Sequence, residues 1–465
     1  MEKSVKGKEK FAYGFAAVGS YMVANIVSSY FNYYLTDIIL VSPVFILALM
    51  ITGRVIDMIT DPLMGIVVDK THSPEGKMRP YVRIGAYIIG LITFFMYYPV
   101  EGSLVWRSIF GAFMYIGFGL AYTFVDVPAM GMLSVATRDK DERAALLSYY
   151  VTVGSIGGLL PAAMLFVLQL FVPEKWVYFV ISAVVGVITF AAYGYLYRHS
   201  VERFSTKTEH IGIRDMIKVV VQNKPMTLAL LTSMLASPRY MIMVVAMYIA
   251  TYVIVIPGLT SGTVLLILYV IVGAGMFGGI LLTPVAYKRI GYKKTGLLFG
   301  AAGAVFLAAA FFVGLINLYA ALPFMMLGGL GLGAYNTLPY PMVGDSLDYL
   351  EWKTGERMEG ICFSLNSFVT KFNNAVGAFG VMLGLIVINF VQPSVSGVAE
   401  PQSEATVRGM YALATLIPAI GFLLSLIPMA LYGYTGKRRE SILCELEARR
   451  AAKMAQASDE TEHEN

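Results

Sequence analysis

The sequence GRVIDMITDP, residues 53–62, lies in the middle of an apolar segment that runs from about Val44 to Val68. Such a segment is long enough to cross a bilayer as one helix. Asp57 and Asp61 are four residues apart, so one helical turn places both carboxylates on the same face. A charge at mid-bilayer costs roughly 2.5–3.5 kcal/mol or more, and two like charges one turn apart also repel each other. The stretch therefore predicts that a positively charged species binds at this pair.

The composition indicates an integral membrane protein. The chain has 465 residues, of which 57% are hydrophobic and only 14% are charged, and its mean hydropathy is +0.68. Soluble globular proteins carry about 25% charged residues. The two cysteines, Cys362 and Cys444, are far apart in the sequence and give neither a metal-ligand spacing nor a disulfide framework. We expect them to be inert thiols.

Apolar segments of about 20 residues recur between short polar breaks. They are predicted near residues 11–36, 41–68, 81–99, 104–136, 145–172, 176–197, 226–256, 261–286, 295–315, 318–347, 361–391 and 409–435. The fold class is therefore all-α, with twelve transmembrane helices in two halves of six. The predicted organisation is an N-terminal segment 1–10, a first half 11–197, a central linker 198–225, a second half 226–435 and a tail 436–465.

The distribution of Lys and Arg predicts the orientation in the membrane. With the N-terminus inside, the inner segments hold 29 of the 35 Lys and Arg residues. The outer segments hold only Arg107, Lys175 and Arg408. We therefore expect a multi-pass protein of the cell (inner) membrane with both termini cytoplasmic. The net charge of +5 reflects this orientation and gives no support for a nucleic-acid partner.

The two halves contain a sequence repeat. AYTFVDVPAMGM at 121–132 matches AYNTLPYPMVGD at 334–345 with a constant offset of 213, and each following inner loop contains Glu-Arg. Parallel six-helix repeats are typical of carriers whose solute site lies between the halves near mid-membrane.

Four residues of the second span form one stripe. Arg54, Asp57, Thr60 and Asp61 recur at helical spacing and are expected to face the bundle interior. Two carboxylates and a hydroxyl are hard oxygen ligands that suit Na⁺, Li⁺ or a proton. The alternative is an internal salt bridge from Arg54 to Asp57, although one arginine does not neutralise two aspartates.

Two other spans also contain isolated polar or charged residues. Thr123 and Asp126 precede Pro128 in the fourth span, where an intramembrane carboxylate predicts a functional site. Asp126 is expected to bind a sugar hydroxyl or to help hold the cation; the alternative is a partner for an arginine. Lys371 is the only lysine within a span. We expect it to be a counter-charge to the aspartates when the cation is absent, and the alternative is a purely structural pair.

Aromatic and amide side chains predict a solute pocket, because rings stack on the apolar faces of sugars and amides bind hydroxyl groups. The candidate solute ligands are Tyr21, Tyr122, Asp126, Asn336, Asn366 and Ser367. Tyr30, Tyr33 and Tyr34 lie near a span end and are expected to belong to the interfacial belt.

Charged residues at the inner span ends predict a cytoplasmic gate. The candidates are Arg143, Asp345, Asp348 and Arg357. Ion pairs among them would break and re-form as the halves rock. The alternative is ordinary surface pairing, worth about 0–1 kcal/mol.

Signatures of enzymes are absent from the sequence. There is no P-loop, HExxH or GxSxG motif, and all four histidines lie in loops or tails. The GxGxxG match at 273–278 lies within a predicted span, where it indicates close helix packing. We therefore expect no catalytic activity and no cofactor besides a coupling ion. A channel and an integral membrane enzyme are the competing classes, and the fixed intramembrane charges favour a carrier over both.

These residues resemble the glycoside–pentoside–hexuronide:cation symporters of the major facilitator superfamily, whose best-known member is the bacterial melibiose carrier. The resemblance covers nearly the whole chain and rests on motifs such as RVIDMITDPLMG, AYTFVDVP, TGERMEG and SFVTKFNNAVGAF. It implies that Asp57, Thr60, Asp61 and Thr123 occupy the cation site. It also implies that Lys371 is the coupled lysine and that Asp126 binds sugar.

The departures from the melibiose carrier concern mainly the solute. Thr60 replaces an asparagine, which bears on Na⁺ specificity, and Tyr21 replaces an aspartate that binds galactosides. Met130, Val151 and Asn336 replace a tryptophan, an arginine and a second tryptophan. We therefore predict symport of a pentoside, a hexuronide or another glycoside. The alternative is a carrier of the same fold for a lysolipid or other amphipathic solute.

Overall fold

The structure is a computed structural model and describes residues 5–137, 140–203, 222–355 and 359–463. Within these ranges the regular elements are helices and no strand occurs, so the predicted all-α class is confirmed. The α-helices are α1 Gly7–Tyr33, α2 Pro43–Lys70, α3 Arg79–Phe95, α4 Leu104–Val135, α5 Lys140–Leu168, α6 Glu174–His199, α7 Lys224–Leu235, α8 Met241–Tyr248, α9 Ser261–Gly314, α10 Leu318–Thr337, α11 Pro339–Thr354, α12 Glu359–Val387, α13 Glu404–Ala414, α14 Leu416–Leu431 and α15 Gly436–His463. A first π turn, Tyr34–Ile38, follows α1; a 3₁₀ turn, Ser237–Tyr240, precedes α8; a second π turn, Ile249–Val253, follows α8.

In the described part of the chain, nine helices are long and apolar enough to cross a membrane. The number is ten if Lys224–Leu235 and Ser237–Val253, which are bent by 42°, form one broken span. Helix α9 has 54 residues, about 80 Å at 1.5 Å per residue, which is more than twice the thickness of a bilayer core. It is interrupted at Gly291, where φ is 78°. The membrane-spanning class is thus confirmed, and the count of twelve stays a prediction.

A side-chain cap explains where α10 begins, and a glycine explains its close contact with α9. Asn317 Oδ1 accepts from the backbone N–H groups of Tyr319 and Ala320 and so caps α10. A methyl group at Gly275 would lie 1.8 Å from the carbonyl oxygen of Met326, so α9 and α10 pack closely only because this position has no side chain. The predicted packing role of this glycine motif is confirmed.

The chain forms two compact units. Unit 1 comprises Met1–Thr208, Met243–Ile267 and Ala378–Met410. Unit 2 comprises Glu209–Ile242, Leu268–Gly377 and Tyr411–Asn465. In unit 1, α1 packs against α5 and α6, α3 packs against α4 and α6, and α2 lies against α4. Unit 1 therefore contains the predicted first half together with two segments of the second. The predicted domain boundaries stay a prediction.

Unit 2 has its own apolar core. Helix α7 packs against α11 and α14. One cluster in this core contains Met226, Leu230, Val343, Leu347, Leu350, Cys362 and Val369. Cys362 is buried in that cluster and Cys444 is exposed on α15, and neither cysteine forms a disulfide.

Candidate functional site

The two aspartates of α2 face two successive turns of α4. Asp61 Oδ1 accepts a hydrogen bond from Thr123 Oγ1 over 2.8 Å. One turn earlier on α4, a methyl group at Gly119 would lie only 3.1 Å from Asp57 Oδ1. The glycine thus leaves room for the Asp57 carboxylate beside the α4 backbone. The spacing of four residues on both helices brings the predicted acid pair and Thr123 together.

The remaining members of the α2 stripe lie beside the acid pair. Arg54 Nη1 is 3.3 Å from Asp57 Oδ2, so the salt bridge that the sequence left open is present. It engages one of the two aspartates. The Thr60 hydroxyl is buried and has no hydrogen-bond partner among the described residues. A buried hydroxyl without a partner is costly, so Thr60 is suited to bind a further ligand.

The carboxylate of Asp126 lies in a separate hydrogen-bond cluster. Asp126 Oδ1 accepts from Ser20 Oγ over 3.0 Å and from the Tyr193 hydroxyl over 3.5 Å. Ser20 Oγ is also 3.0 Å from the Tyr122 hydroxyl. Helices α1, α4 and α6 therefore converge on one carboxylate. We call Ser20, Tyr122, Asp126 and Tyr193 the Asp126 cluster. Its hydroxyls and carboxylate are groups that bind sugar hydroxyls.

Tyr21 lies next to this cluster along α1. Its half-buried ring packs edge-on against Tyr150 of α5, with 6.4 Å between the ring centroids. Tyr122 is stacked on Phe118, with a centroid distance of 5.6 Å. Tyr150 of α5 thus lies beside the candidate Tyr21, and the aromatic lining of a solute pocket stays a prediction. The sequence alone did not indicate Ser20, Tyr150 or Tyr193, which carry no intramembrane charge.

The candidate residues of the second half belong to unit 2. Asn336 Oδ1 accepts from the Tyr240 hydroxyl over 3.1 Å. Asn366 is buried on α12, Ser367 follows it in the same helix, and Lys371 is exposed one turn later. Their proposed part in one site with the residues of unit 1 stays a prediction.

The candidate gate residues Asp345 and Asp348 bind arginines of the C-terminal helix α15. Arg439 donates from Nε and Nη2 to the two oxygens of Asp345 over 2.6 and 3.0 Å. Arg450 donates to Asp348 over 3.1 Å and also binds Glu351. Hydrogen bonding to Asp345 raises the pKa of the Arg439 guanidinium. In the sequence, these arginines stand out only as two of the basic residues of the tail 436–465.

The positions of the other two gate candidates, Arg143 and Arg357, do not test the predicted gate. Arg357 lies outside the described residues, and Arg143 lies in unit 1. The inter-half latch of four charges therefore stays a prediction, while both aspartates have partners in unit 2.

Comparisons with known proteins agree with the fold and with the sequence resemblance. The family described as MFS/sugar transport protein matches residues 12–436. The uncharacterized symporter YjmB of Bacillus subtilis (strain 168) is 27% identical over 458 residues, 96% of each chain. The isoprimeverose transporter of Lactiplantibacillus pentosus is 25% identical over 476 residues, 98% of this chain and 94% of the relative. The crystal structure of the nucleoside transporter NupG matches with a TM-score of 0.62 at 15% identity, over 92% of this chain and 100% of that one.

Proposed function

Because the chain belongs to the MFS/sugar transport protein family, among its glycoside–pentoside–hexuronide:cation symporters, it is a membrane transporter, and we propose that it couples the movement of a sugar or glycoside to that of Na⁺ or H⁺. Transport by alternating access, in which a central site is exposed to one side at a time, suits the two-half repeat of the sequence.

The observation that supports cation coupling most strongly is the convergence of Asp57, Asp61 and Thr123. Thr123 Oγ1 donates a hydrogen bond to Asp61 Oδ1 over 2.8 Å. The Asp57 carboxylate lies beside the α4 backbone at Gly119. Carboxylate and hydroxyl oxygens are ligands for small hard cations, and a carboxylate also binds a proton. We place the coupling ion at these residues, with the Thr60 hydroxyl as a further ligand.

The solute site is proposed around the Asp126 cluster. Its carboxylate and hydroxyls, together with the rings of Tyr21 and Tyr122, match the polar and apolar faces of a sugar. Asn336, Asn366 and Ser367 would supply further polar contacts. Since Tyr21 stands where galactoside carriers have an acid, we propose a pentoside, a hexuronide or another glycoside. The name of the relative from Lactiplantibacillus pentosus, an isoprimeverose transporter, supports this class.

Coupling between the two ligands is proposed to run through α4. Thr123 and Asp126 are three residues apart on this helix, within one turn. A cation held by Asp61 and Thr123 would fix the part of α4 that carries Tyr122 and Asp126. Each ligand would then bind more tightly in the presence of the other, typically by 1–3 kcal/mol. Lys371 is the proposed counter-charge when the cation is absent.

Uptake into proteoliposomes tests this proposal. Labelled isoprimeverose, a labelled pentoside or a labelled glucuronide is supplied under a Na⁺ gradient or a pH gradient. Uptake of a labelled lysolipid is measured separately, because a lysolipid is the alternative solute. We expect saturable glycoside uptake that one gradient stimulates, and we expect Asp61→Asn to abolish the stimulation. Glu101→Gln is the matched control, because the Glu101 side chain is 79% exposed.

Two results would overturn parts of the proposal separately. Gradient-driven accumulation by Asp61→Asn at the wild-type level would remove the cation assignment. Uptake of the lysolipid without uptake of any glycoside would replace the solute class by the amphipathic alternative.

A further inference from the structure

A buried carboxylate lies at the end of α1 that is remote from the N-terminus. Asp37, in the first π turn, is 1% exposed. Its oxygens accept hydrogen bonds from the hydroxyls of Thr36 and Tyr252. The Thr36 hydroxyl is in turn 2.8 Å from that of Tyr248. In the described ranges no Lys or Arg forms an ion pair with Asp37, so hydroxyl groups alone hold this carboxylate.

The residues that meet at Asp37 occupy corresponding positions in the two sequence repeats. The two π turns, Tyr34–Ile38 and Ile249–Val253, are offset by 215 residues. With the same offset, Tyr33, Thr36 and Asp37 correspond to Tyr248, Thr251 and Tyr252. Asp37 binds Tyr252, and the rings of Tyr33 and Tyr248 meet edge-on with 5.6 Å between centroids. Contacts between equivalent residues are expected where an axis that relates two repeats passes through the molecule.

A third segment of the chain closes over the same contact. Gln392 Nε2 donates to the carbonyl oxygens of Thr36 and Val41 over 2.8 and 2.9 Å. The backbone N–H of Gly397 donates to the carbonyl oxygen of Asp37 over 3.0 Å. All of these residues belong to unit 1.

We propose that Asp37 and Tyr252 form a latch that closes the solute path at this end of the molecule, which the charge pattern predicts to face outward. When two repeats move apart, contacts on the axis between them must separate. Water can replace both hydroxyl donors of Asp37, so opening here avoids leaving a buried carboxyl group without hydrogen-bond partners. The π turns on both sides fit this role, since such turns occur often at functional sites. The inference rests on the alternating access of the proposed function, but it depends on neither the solute nor the coupling ion.

Hydrogen–deuterium exchange of the full chain in nanodiscs tests the latch without knowledge of the solute. Tyr252→Phe and Asp37→Leu should each speed exchange in the segments 34–41, 249–256 and 390–400 together. We expect an increase of about tenfold or more, because each variant leaves a buried polar group without its hydrogen-bond partner. Asp37→Asn, which keeps an acceptor for Tyr252, should have a smaller effect. The double variant should exchange no faster than the faster single variant, since both remove the same contact.

Thr251→Val is the matched control. It removes a hydroxyl from the same π turn, and that hydroxyl is buried without a hydrogen-bond partner in the described structure. It should leave exchange in all three segments unchanged. An equal increase in Thr251→Val, or an increase confined to 249–256 in Tyr252→Phe, would overturn the latch.

A thiol probe distinguishes an opened path from a merely loosened contact. Asn32 lies one turn deeper on α1 and is 3% exposed. In a Cys444→Ser background, Asn32→Cys should react with a charged thiol reagent several-fold faster when Tyr252→Phe is added. Faster exchange without faster thiol reaction would overturn the proposal, because the contact would then loosen without admitting solvent.

Discussion

Thr123 donates a hydrogen bond from Oγ1 to Asp61 Oδ1 over 2.8 Å and thereby joins α4 to α2 at the acid pair. If this hydroxyl is also a ligand of the coupling ion, Thr123→Val should raise the ion concentration for half-maximal uptake by about tenfold or more, since a hydrogen bond to a charged group is worth about 1.5–3 kcal/mol. Thr123→Ser keeps the hydroxyl and should stay near the wild-type value. Ion dependence of uptake is the measurement, and equal behaviour of the two variants would contradict the assignment.

Gly119 should be intolerant of a side chain because of the neighbouring carboxylate. A methyl group there would lie 3.1 Å from Asp57 Oδ1, which forces the carboxylate or the helix to shift. We expect Gly119→Ala to weaken ion activation several-fold while the protein still folds. At Gly117 a methyl group would meet Ile92 at 3.6 Å, an ordinary contact, so Gly117→Ala is the control. Equal ion activation in both variants would place the cation away from Asp57.

The helical spans follow from the sequence because a bilayer demands long apolar segments. The predicted stripe of Asp57 and Asp61 also follows from spacing alone, since four residues make one turn. Several other neighbours of the intramembrane carboxylates do not follow from the sequence in the same way. Gly119 has no side chain to attract notice, and Ser20 and Tyr193 come from spans that only the fold brings to Asp126.

The break at Ser237–Tyr240, within the predicted span 226–256, did not follow from the sequence. Pro238 weakens the helix by removing a backbone donor, yet Pro128 lies inside the continuous helix α4. Whether a proline breaks a helix depends on whether nearby groups can form hydrogen bonds with the backbone groups that the break leaves unpaired. Here Arg239 donates to the carbonyl oxygen of Ser233 and satisfies an acceptor at the end of α7. The sequence showed Arg239 within a predicted span but gave no partner for it.

The Asp126 cluster predicts separate effects on solute and ion. Asp126→Asn removes a charged acceptor for the hydroxyls of Ser20 and Tyr193, so we expect the solute KM to rise about tenfold or more. The ion concentration for half-maximal activation at saturating solute should change much less, because Asp57 and Asp61 are untouched. Uptake measured over a grid of solute and ion concentrations separates the two effects. A rise in the ion requirement alone would move Asp126 from the solute site to the cation site.

The C-terminal helix α15 should be held to α11 by the pair of Arg439 and Asp345. The two hydrogen bonds of 2.6 and 3.0 Å involve an aspartate whose side chain is 14% exposed, so the pair is shielded from water on one side. We expect Arg439→Gln to lower the stability of the docked helix by about 1 kcal/mol, near the upper end for partly exposed pairs. Limited proteolysis of α15 in detergent, followed over time, measures the docking.

A charge exchange and a control pair make this prediction specific. The double variant Asp345→Arg with Arg439→Asp should be cleaved in α15 more slowly than Asp345→Arg alone or Arg439→Asp alone. In the double variant, opposite charges again face each other. Arg408 and Glu404 form a pair whose side chains are 60% and 80% exposed, so Arg408→Gln should leave the cleavage rate unchanged. Cleavage of α15 at the wild-type rate in Arg439→Gln would mean that other contacts, such as the pairing of Arg450 with Asp348 and Glu351, hold the helix in place.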